Sequence, residues 1–157
     1  MPLEIERKFL LDAFEPPPTA VRRPIEQGYI AIKDDGTEVR LRRIGDSRVL
    51  GVKRAWSGPP VRIEVERELD EQEFTDLWPA TAGARLVKDR YTFESAGVTV
   101  HADVYQGELA GLMTAEVEFG SVAEAEGFRP PDWFGAEVTG VTAYKNQTLA
   151  VRGLPRA

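Results

Sequence analysis

MPLEIERKFL, residues 1–10, sets Glu4, Glu6 and Lys8 at alternate positions, with Leu3, Ile5 and Phe9 between them. Successive side chains of an extended strand point to opposite faces. This stretch therefore reads as a strand with one charged face and one apolar face. The charged face either meets water or lines an interior, and the rest of the chain decides between the two.

The alternation recurs. Arg40 and Arg42 oppose Val39 and Leu41, and Lys53 opposes Leu50 and Val52. Arg62, Glu64 and Glu66 oppose Val61, Ile63 and Val65; Lys88 and Arg90 oppose Val87 and Tyr91. His101 and Asp103 oppose Val100, Ala102 and Val104, and Glu116 and Glu118 oppose Ala115, Val117 and Phe119. These runs predict eight strands, roughly 3–10, 25–32, 38–44, 48–54, 61–69, 85–94, 98–105 and 112–120. Lys33-Asp34-Asp35-Gly36, Gly45-Asp46-Ser47 and Ser95-Ala96-Gly97 read as hairpin turns, and Trp56-Ser57-Gly58-Pro59-Pro60 as a longer loop. Asp70 with Glu73, and Ser121 with Glu124, match the capping box and predict helices near 71–79 and 122–127. A third helix is expected near 141–151, ahead of Gly153 and Pro155. The fold class is mainly β and antiparallel, with a few short helices outside, as one domain over residues 1–157.

Composition excludes several chemistries. With 42% hydrophobic and 29% charged residues the chain has the profile of a soluble globular protein. It has no cysteine, which removes disulfides, thiolate nucleophiles and Cys-ligated zinc. The single His101 removes multi-histidine metal sites, so a bound metal would need oxygen ligands, favouring Mg²⁺, Mn²⁺ or Ca²⁺. A net charge of −6 argues against nucleic acid as a partner. No apolar run reaches the roughly 20 residues of a membrane span, and the first residues lack a signal-peptide pattern. The expectation is a cytoplasmic protein that does not enter membranes.

An antiparallel sheet with one wet face shows the same alternation. Three features oppose that reading. The strands carry blocks of one sign, where a solubilising face mixes signs. Thr, Ser and Gln are scarce at the charged positions. Eight strands also suffice to close a barrel without edges, placing the charged face in the bore. There, Glu4, Glu6, Glu64, Glu66, Asp103, Glu116 and Glu118 would face Lys8, Arg40, Arg42, Lys53, Lys88 and Arg90. Carboxylates repel phosphate, but divalent cations bridge the two while Arg and Lys take the remaining oxygens. A bore with both signs points to a metal-bound polyphosphate.

Glu4-Ile5-Glu6-Arg7-Lys8 resembles the ExExK signature of the CYTH superfamily, the triphosphate tunnel metalloenzymes. The resemblance runs along nearly the whole chain: Ile25-Glu26-Gln27-Gly28-Tyr29, Val39-Arg40-Leu41-Arg42, Val52-Lys53, Arg62-Ile63-Glu64-Val65-Glu66 and Lys88-Asp89-Arg90-Tyr91. It continues through Asp103-Val104-Tyr105-Gln106-Gly107, Ala115-Glu116-Val117-Glu118, Glu137-Val138-Thr139 and Tyr144-Lys145-Asn146. His101 and Tyr105 depart from the family pattern, where an acidic or polar residue and Phe are expected.

The resemblance is closest to the short bacterial inorganic triphosphatases. It implies an eight-stranded closed antiparallel barrel and Mg²⁺- or Mn²⁺-dependent hydrolysis of inorganic triphosphate or another triphosphate. It assigns metal binding to Glu4, Glu6, Glu116 and Glu118, with Glu64, Glu66 and Asp103 as further ligands or water-orienting groups. Lys8, Arg40, Arg42, Lys53, Lys88 and Arg90 would hold phosphate oxygens. Lys145 joins them, with an exposed helix lysine as the alternative, and Tyr29 reads as a core or wall aromatic. Thiamine triphosphatase, adenylyl cyclase and a polyphosphate-binding module without turnover remain alternatives on the same fold. The partner is a small polyphosphate or a nucleoside or thiamine triphosphate, and a homodimer stays open.

Overall fold

The computed structural model describes residues 2–56, 58 and 61–156. All eight predicted strands form: β1 (Leu3–Leu10), β2 (Val21–Ile32), β3 (Glu38–Ile44), β4 (Ser47–Ala55), β5 (Val61–Glu68), β6 (Arg85–Ser95), β7 (Val98–Tyr105) and β8 (Met113–Glu118). They close into a barrel in the order β1-β5-β4-β3-β2-β6-β7-β8, every pair antiparallel. The β6–β7 hairpin turns on Ala96 and Gly97, both at positive φ (51° and 80°), as a two-residue turn with right-handed strand twist requires. Part of the predicted 56–60 loop, Ser57, Pro59 and Pro60, lies outside the described residues.

β2 begins at Val21, earlier than expected, despite Pro24. Pro24 pairs with Asp89 of β6, while β3 pairing begins only at Ile25. The carbonyl of Pro24 faces the β3 side, where it accepts from the Gly45 amide at 3.0 Å. Its missing N–H therefore falls beyond the end of β3, where no ladder needs it.

Among the described residues three α-helices lie outside the bore: α1 (Glu71–Leu77), α2 (Val122–Gly127) and α3 (Asn146–Arg152). The Asp70–Glu73 capping box is complete, with bonds of 2.8 and 3.0 Å in the two directions. At α2 only half of it forms. Ser121 caps the Glu124 amide at 3.1 Å, but the Glu124 carboxylate accepts from Gly120 instead. The expected continuous helix over 141–151 is broken. A 3₁₀ turn at Thr142–Tyr144 precedes α3, and Lys145 between them is extended (φ −67°, ψ 139°).

The apolar strand faces pack outward under these elements. Ile5, Phe9, Val100, Ala102, Ala115 and Val117 form one cluster with Phe119, Phe93 and Ala125. Leu41, Leu69 and Phe74 form another under α1. β2 is also packed closely against the 3₁₀ turn Trp78–Thr81 that follows α1: a Cβ on Gly28 would meet the Thr81 side chain at 2.6 Å, so only glycine fits there. Cover is incomplete, since Leu3, Val52 and Val65 on β1, β4 and β5 stay exposed on the outer face. Arg7 also faces outward. Its guanidinium bonds Glu137 at 2.7 and 2.8 Å and the carbonyls of Ala125 and Phe128 at 2.8 and 2.9 Å. It thus locks α2 and the C-terminal segment to β1.

Candidate active site

With the apolar faces turned outward, the charged faces meet in the bore. A cavity of about 270 Å³ fills it. Of the residues expected there, Glu4, Glu6, Lys8, Arg40, Arg42, Lys53, Glu64, Glu66, Arg90, Glu116, Glu118 and Lys145 all line it. Tyr29 is a wall residue, its hydroxyl accepting from Gln27 Nε2 at 2.6 Å.

Strand order sorts the charges. The acidic strands β8, β1 and β5 are neighbours, carrying Glu116 and Glu118, Glu4 and Glu6, and Glu64 and Glu66. The basic strands β4, β3 and β6 stand in another run, joined by β2, and carry Lys53, Arg40 and Arg42, and Arg90. The bore is thus divided lengthwise into an acidic and a basic half. Lys8 in the acidic half and Glu38 in the basic half are the lining exceptions, with Arg62.

Ion pairs bridge the halves. Arg40 Nη2 meets Glu64 Oε2 at 2.9 Å, Arg42 Nη2 meets Glu66 Oε2 at 2.8 Å, and Lys53 Nζ meets Glu4 at 3.0 Å and Glu64 at 3.6 Å. Glu116 faces Lys8 at 3.8 Å and Arg90 at 3.6 Å. Burial alone would raise the Glu116 carboxyl, but Arg90, Lys8 and Lys88 reverse this and hold it well below the carboxylate range.

Among the described residues Glu6 and Arg42 carry charge that their surroundings do not fully compensate. Burial, together with Glu116 and Glu4, pushes the Glu6 carboxyl well above its ordinary range. Burial and the neighbouring Arg40 and Arg90 push the Arg42 guanidinium below its ordinary value despite Glu66. Among the described residues, Arg40 Nε and Arg42 Nε are also buried without a hydrogen-bond partner. A buried donor without an acceptor is costly.

Lys88 and Asp103 sit behind the wall and do not line the cavity. Both Asp103 oxygens are taken, by Lys88 Nζ at 2.7 Å and by Arg90 Nε and Nη2 at 2.8 and 2.9 Å. Burial opposes the Asp103 charge, and Arg90 with Lys88 overcomes it, so its carboxyl is lowered. Asp103 thereby fixes the direction in which Arg90 enters the bore.

The C-terminal segment closes one end. Val138, Thr139, Gly140, Val141, Tyr144, Lys145 and Asn146 complete the lining. They meet the end of β1 and the starts of β3 and β5. Lys8 Nζ donates to the Tyr144 carbonyl at 2.7 Å, and Tyr105 Oη donates to Asn146 Oδ1 at 2.5 Å. Glu38, 3% exposed, accepts from Gln147 at 3.0 Å and from Arg62 at 3.3 Å. At the opposite end Glu66 and Glu118 have the most exposed of the paired bore side chains, at 37% and 49%.

Sequence reasoning gave no site role to Glu38, Arg62 or the 138–144 wall. The first two carry a readable signal, since Glu38 is in phase with Arg40 and Arg42, and Arg62 with Glu64 and Glu66. Segment 138–144 has no strand alternation, and Val138, Thr139 and Tyr144 stood out only through the family resemblance.

The closed barrel thus sets carboxylates against guanidinium and ammonium groups across one charged bore. The chain is 42% identical to an inorganic triphosphatase of Nitrosomonas europaea, over 94% of this chain and 97% of that one. It is 36% identical to an inorganic triphosphatase of Acetivibrio thermocellus, over 93% of this chain and 92% of that one. A crystal structure of an inorganic triphosphatase superposes with a TM-score of 0.70 at 41% identity, covering 94% of each chain. No family model matches the chain. The chain belongs to the family of these inorganic triphosphatases. No helix among the described residues is long and apolar enough to cross a membrane.

Proposed function

We propose that the protein hydrolyses inorganic triphosphate to diphosphate and phosphate within the bore, with Mg²⁺ or Mn²⁺ as cofactor. The lengthwise division of charge carries this reading. A bare polyanion would need only the basic half; the acidic half is accounted for by cations that accompany it.

The donor set fits a hard divalent ion. Its oxygens come from Glu4, Glu6, Glu116 and Glu118 on the paired strands β1 and β8, where Glu6 lies opposite Glu118 and Lys8 opposite Glu116. Among the described residues no three carboxylates or imidazoles are already drawn together as a metal cage. The unmatched negative potential at Glu6 nevertheless asks for a cation there. Glu64 and Glu66 are further candidates, already engaged by Arg40 and Arg42. Asp103 is assigned instead to holding Lys88 and Arg90. When bound, the metal would neutralise phosphate charge and lower the pKa of a water.

The chain's own groups do the positioning. Arg40 and Arg42 offer guanidinium charge to the phosphate oxygens, and Lys53, Lys8 and Arg90 add charge along the same path. Lys145, extended at the N-cap of α3, faces the bore from the closed end. Water attacks the terminal phosphorus, the bond to the bridging oxygen breaks, and diphosphate leaves with the electron pair. Charge stabilisation and alignment supply most of the catalysis in such transfers.

The test is phosphate release from tripolyphosphate, ATP and thiamine triphosphate, each with Mg²⁺, with Mn²⁺ and with excess EDTA. Tripolyphosphate should be turned over fastest and EDTA should abolish turnover. Cyclic AMP formed from ATP at a comparable rate, or full activity in EDTA, would overturn the reading.

A further inference from the structure

His101, the chain's single histidine, stands midway along β7, between β6 and β8, behind the cavity-lining residues. Thr92 lies directly opposite it on β6, and Thr92 Oγ1 is 2.8 Å from His101 Nδ1. On β8 the pairing sets Glu116 opposite His101, so Glu118 is its diagonal neighbour. His101 Nε2 is 2.9 Å from Glu118 Oε1.

Those partners assign the ring. A carboxylate only accepts, so Nε2 carries the proton and donates to Glu118. In the neutral imidazole Nδ1 then accepts from the Thr92 hydroxyl. Both nitrogens are used, and the side chain is only 14% exposed, so the ring is fixed across three strands. With no lone pair left for a ligand, it acts through Glu118.

Glu118 needs such a partner. Its side chain is 49% exposed, and among the described residues its one ion-pair contact is His101. Glu4, Glu64 and Glu116 are each placed by lysines or arginines of the bore. A glutamate at an open mouth otherwise spreads over its rotamers. The hydrogen bond to Oε1 selects one orientation and leaves Oε2 for another contact.

We propose that His101 is a positioning residue that orients Glu118 toward a divalent cation at the mouth of the bore and thereby sets metal affinity. The proposal rests on the metal-dependent reading above. Imidazoles and carboxylates that orient metal ligands typically contribute 10- to 100-fold in affinity.

The experiment is Mn²⁺ titration calorimetry without substrate on wild type, His101→Leu, His101→Gln, Glu118→Ala and the double variant His101→Leu/Glu118→Ala, with melting curves for each. His101→Leu should weaken Mn²⁺ binding about tenfold or more. His101→Gln keeps an N–H donor and should restore most of the affinity. The double variant should bind no more weakly than Glu118→Ala, because the histidine works through that carboxylate. Wild-type affinity in folded His101→Leu, or an additive loss in the double variant, overturns the proposal while leaving the metal reading intact. No Mn²⁺ binding by the wild type overturns both.

Discussion

Lys8 Nζ donates to the carbonyl oxygen of Tyr144 at 2.7 Å, tying the first strand of the barrel to the segment that closes its bore. The same ammonium faces Glu116 at 3.8 Å. One residue therefore belongs both to the charged lining and to the closure. A hydrogen bond from a charged donor contributes about 1.5–3 kcal/mol. In Lys8→Met, amide exchange at Tyr144 and Lys145 should speed up by about ten- to a hundredfold, while the strand amides keep their protection. Unchanged protection of these two amides, read by hydrogen–deuterium exchange, would show that the contact does not hold the segment.

Arg42 gives a kinetic test of the basic half. Its Nη2 is held by Glu66 at 2.8 Å, and its buried Nε has no partner among the described residues. Arg42 also lines the cavity, so its guanidinium charge stands beside the path of the polyanion. Arg42→Ala should lower kcat/KM for tripolyphosphate by about ten- to a hundredfold, from the roughly 1.5–3 kcal/mol of a charge-assisted contact. Arg43, its neighbour, faces outward with its guanidinium 4.7 Å from the Phe74 ring, so Arg43→Ala should leave kcat/KM unchanged. Equal effects of the two substitutions would contradict the inward and outward assignment.

These two arginines show why so much of the site was readable. Strand period alone separates Arg42 from Arg43, and the same rule sends Glu4, Glu6 and Lys8 inward while Arg7 goes out. Period carries no information about which strands become neighbours. The gathering of β8, β1 and β5 into an acidic half depends on strand order, which is a tertiary property. Depth is hidden for the same reason. Asp103 alternates like any bore carboxylate, but Lys88 and Arg90 across the β6–β7 pairing occupy both its oxygens. The break at Lys145 escapes too. The 141–151 stretch lacks Pro or Gly within it, and the extended residue is set by contacts to the bore.

Glu6 tests the acidic half through stability. Burial, Glu116 and Glu4 raise its carboxyl well above the ordinary range. A carboxyl raised on folding contributes stability below its unfolded value and loses it as pH rises through the folded value. At neutral pH the metal-free protein therefore bears a cost at this position. Glu6→Gln should be more stable than wild type at pH 7, by more than the about 0.5 kcal/mol of an ordinary surface change. The gain should vanish below about pH 4, where wild type is protonated in both states. Mg²⁺ should raise the wild-type melting temperature more than that of the variant, since a ligand stabilises the state it binds. Melting curves at the two pH values, with and without Mg²⁺, read all three. A variant less stable than wild type at pH 7 would mean that Glu6 is matched by a cation.

Lys88 extends the same linkage to a base. It is 1% exposed, 2.7 Å from Asp103 and 5.4 Å from the centre of the Tyr105 ring. Burial lowers its ammonium from 10.5 to about 8, with Asp103 opposing and Arg90 assisting. A lysine depressed on folding binds fewer protons in the native than in the unfolded state between those two values. Stability must then rise with pH across that window, because the unfolded chain takes up the extra proton. The cost of the buried charge is fully present below pH 8 and is relieved as the pH approaches 10.5. At 1.36 kcal/mol per pH unit the relief is roughly 3 kcal/mol. Lys88→Met removes the titrating group and leaves Asp103 bonded twice to Arg90. Other groups titrating at alkaline pH are common to both proteins and cancel in the comparison. Chemical denaturation at pH 7, 8.5 and 10 should show wild type gaining on Lys88→Met at each step. A difference independent of pH would mean that Lys88 keeps its proton throughout, and a trend in the opposite direction would mean that Asp103 holds it above the unfolded value.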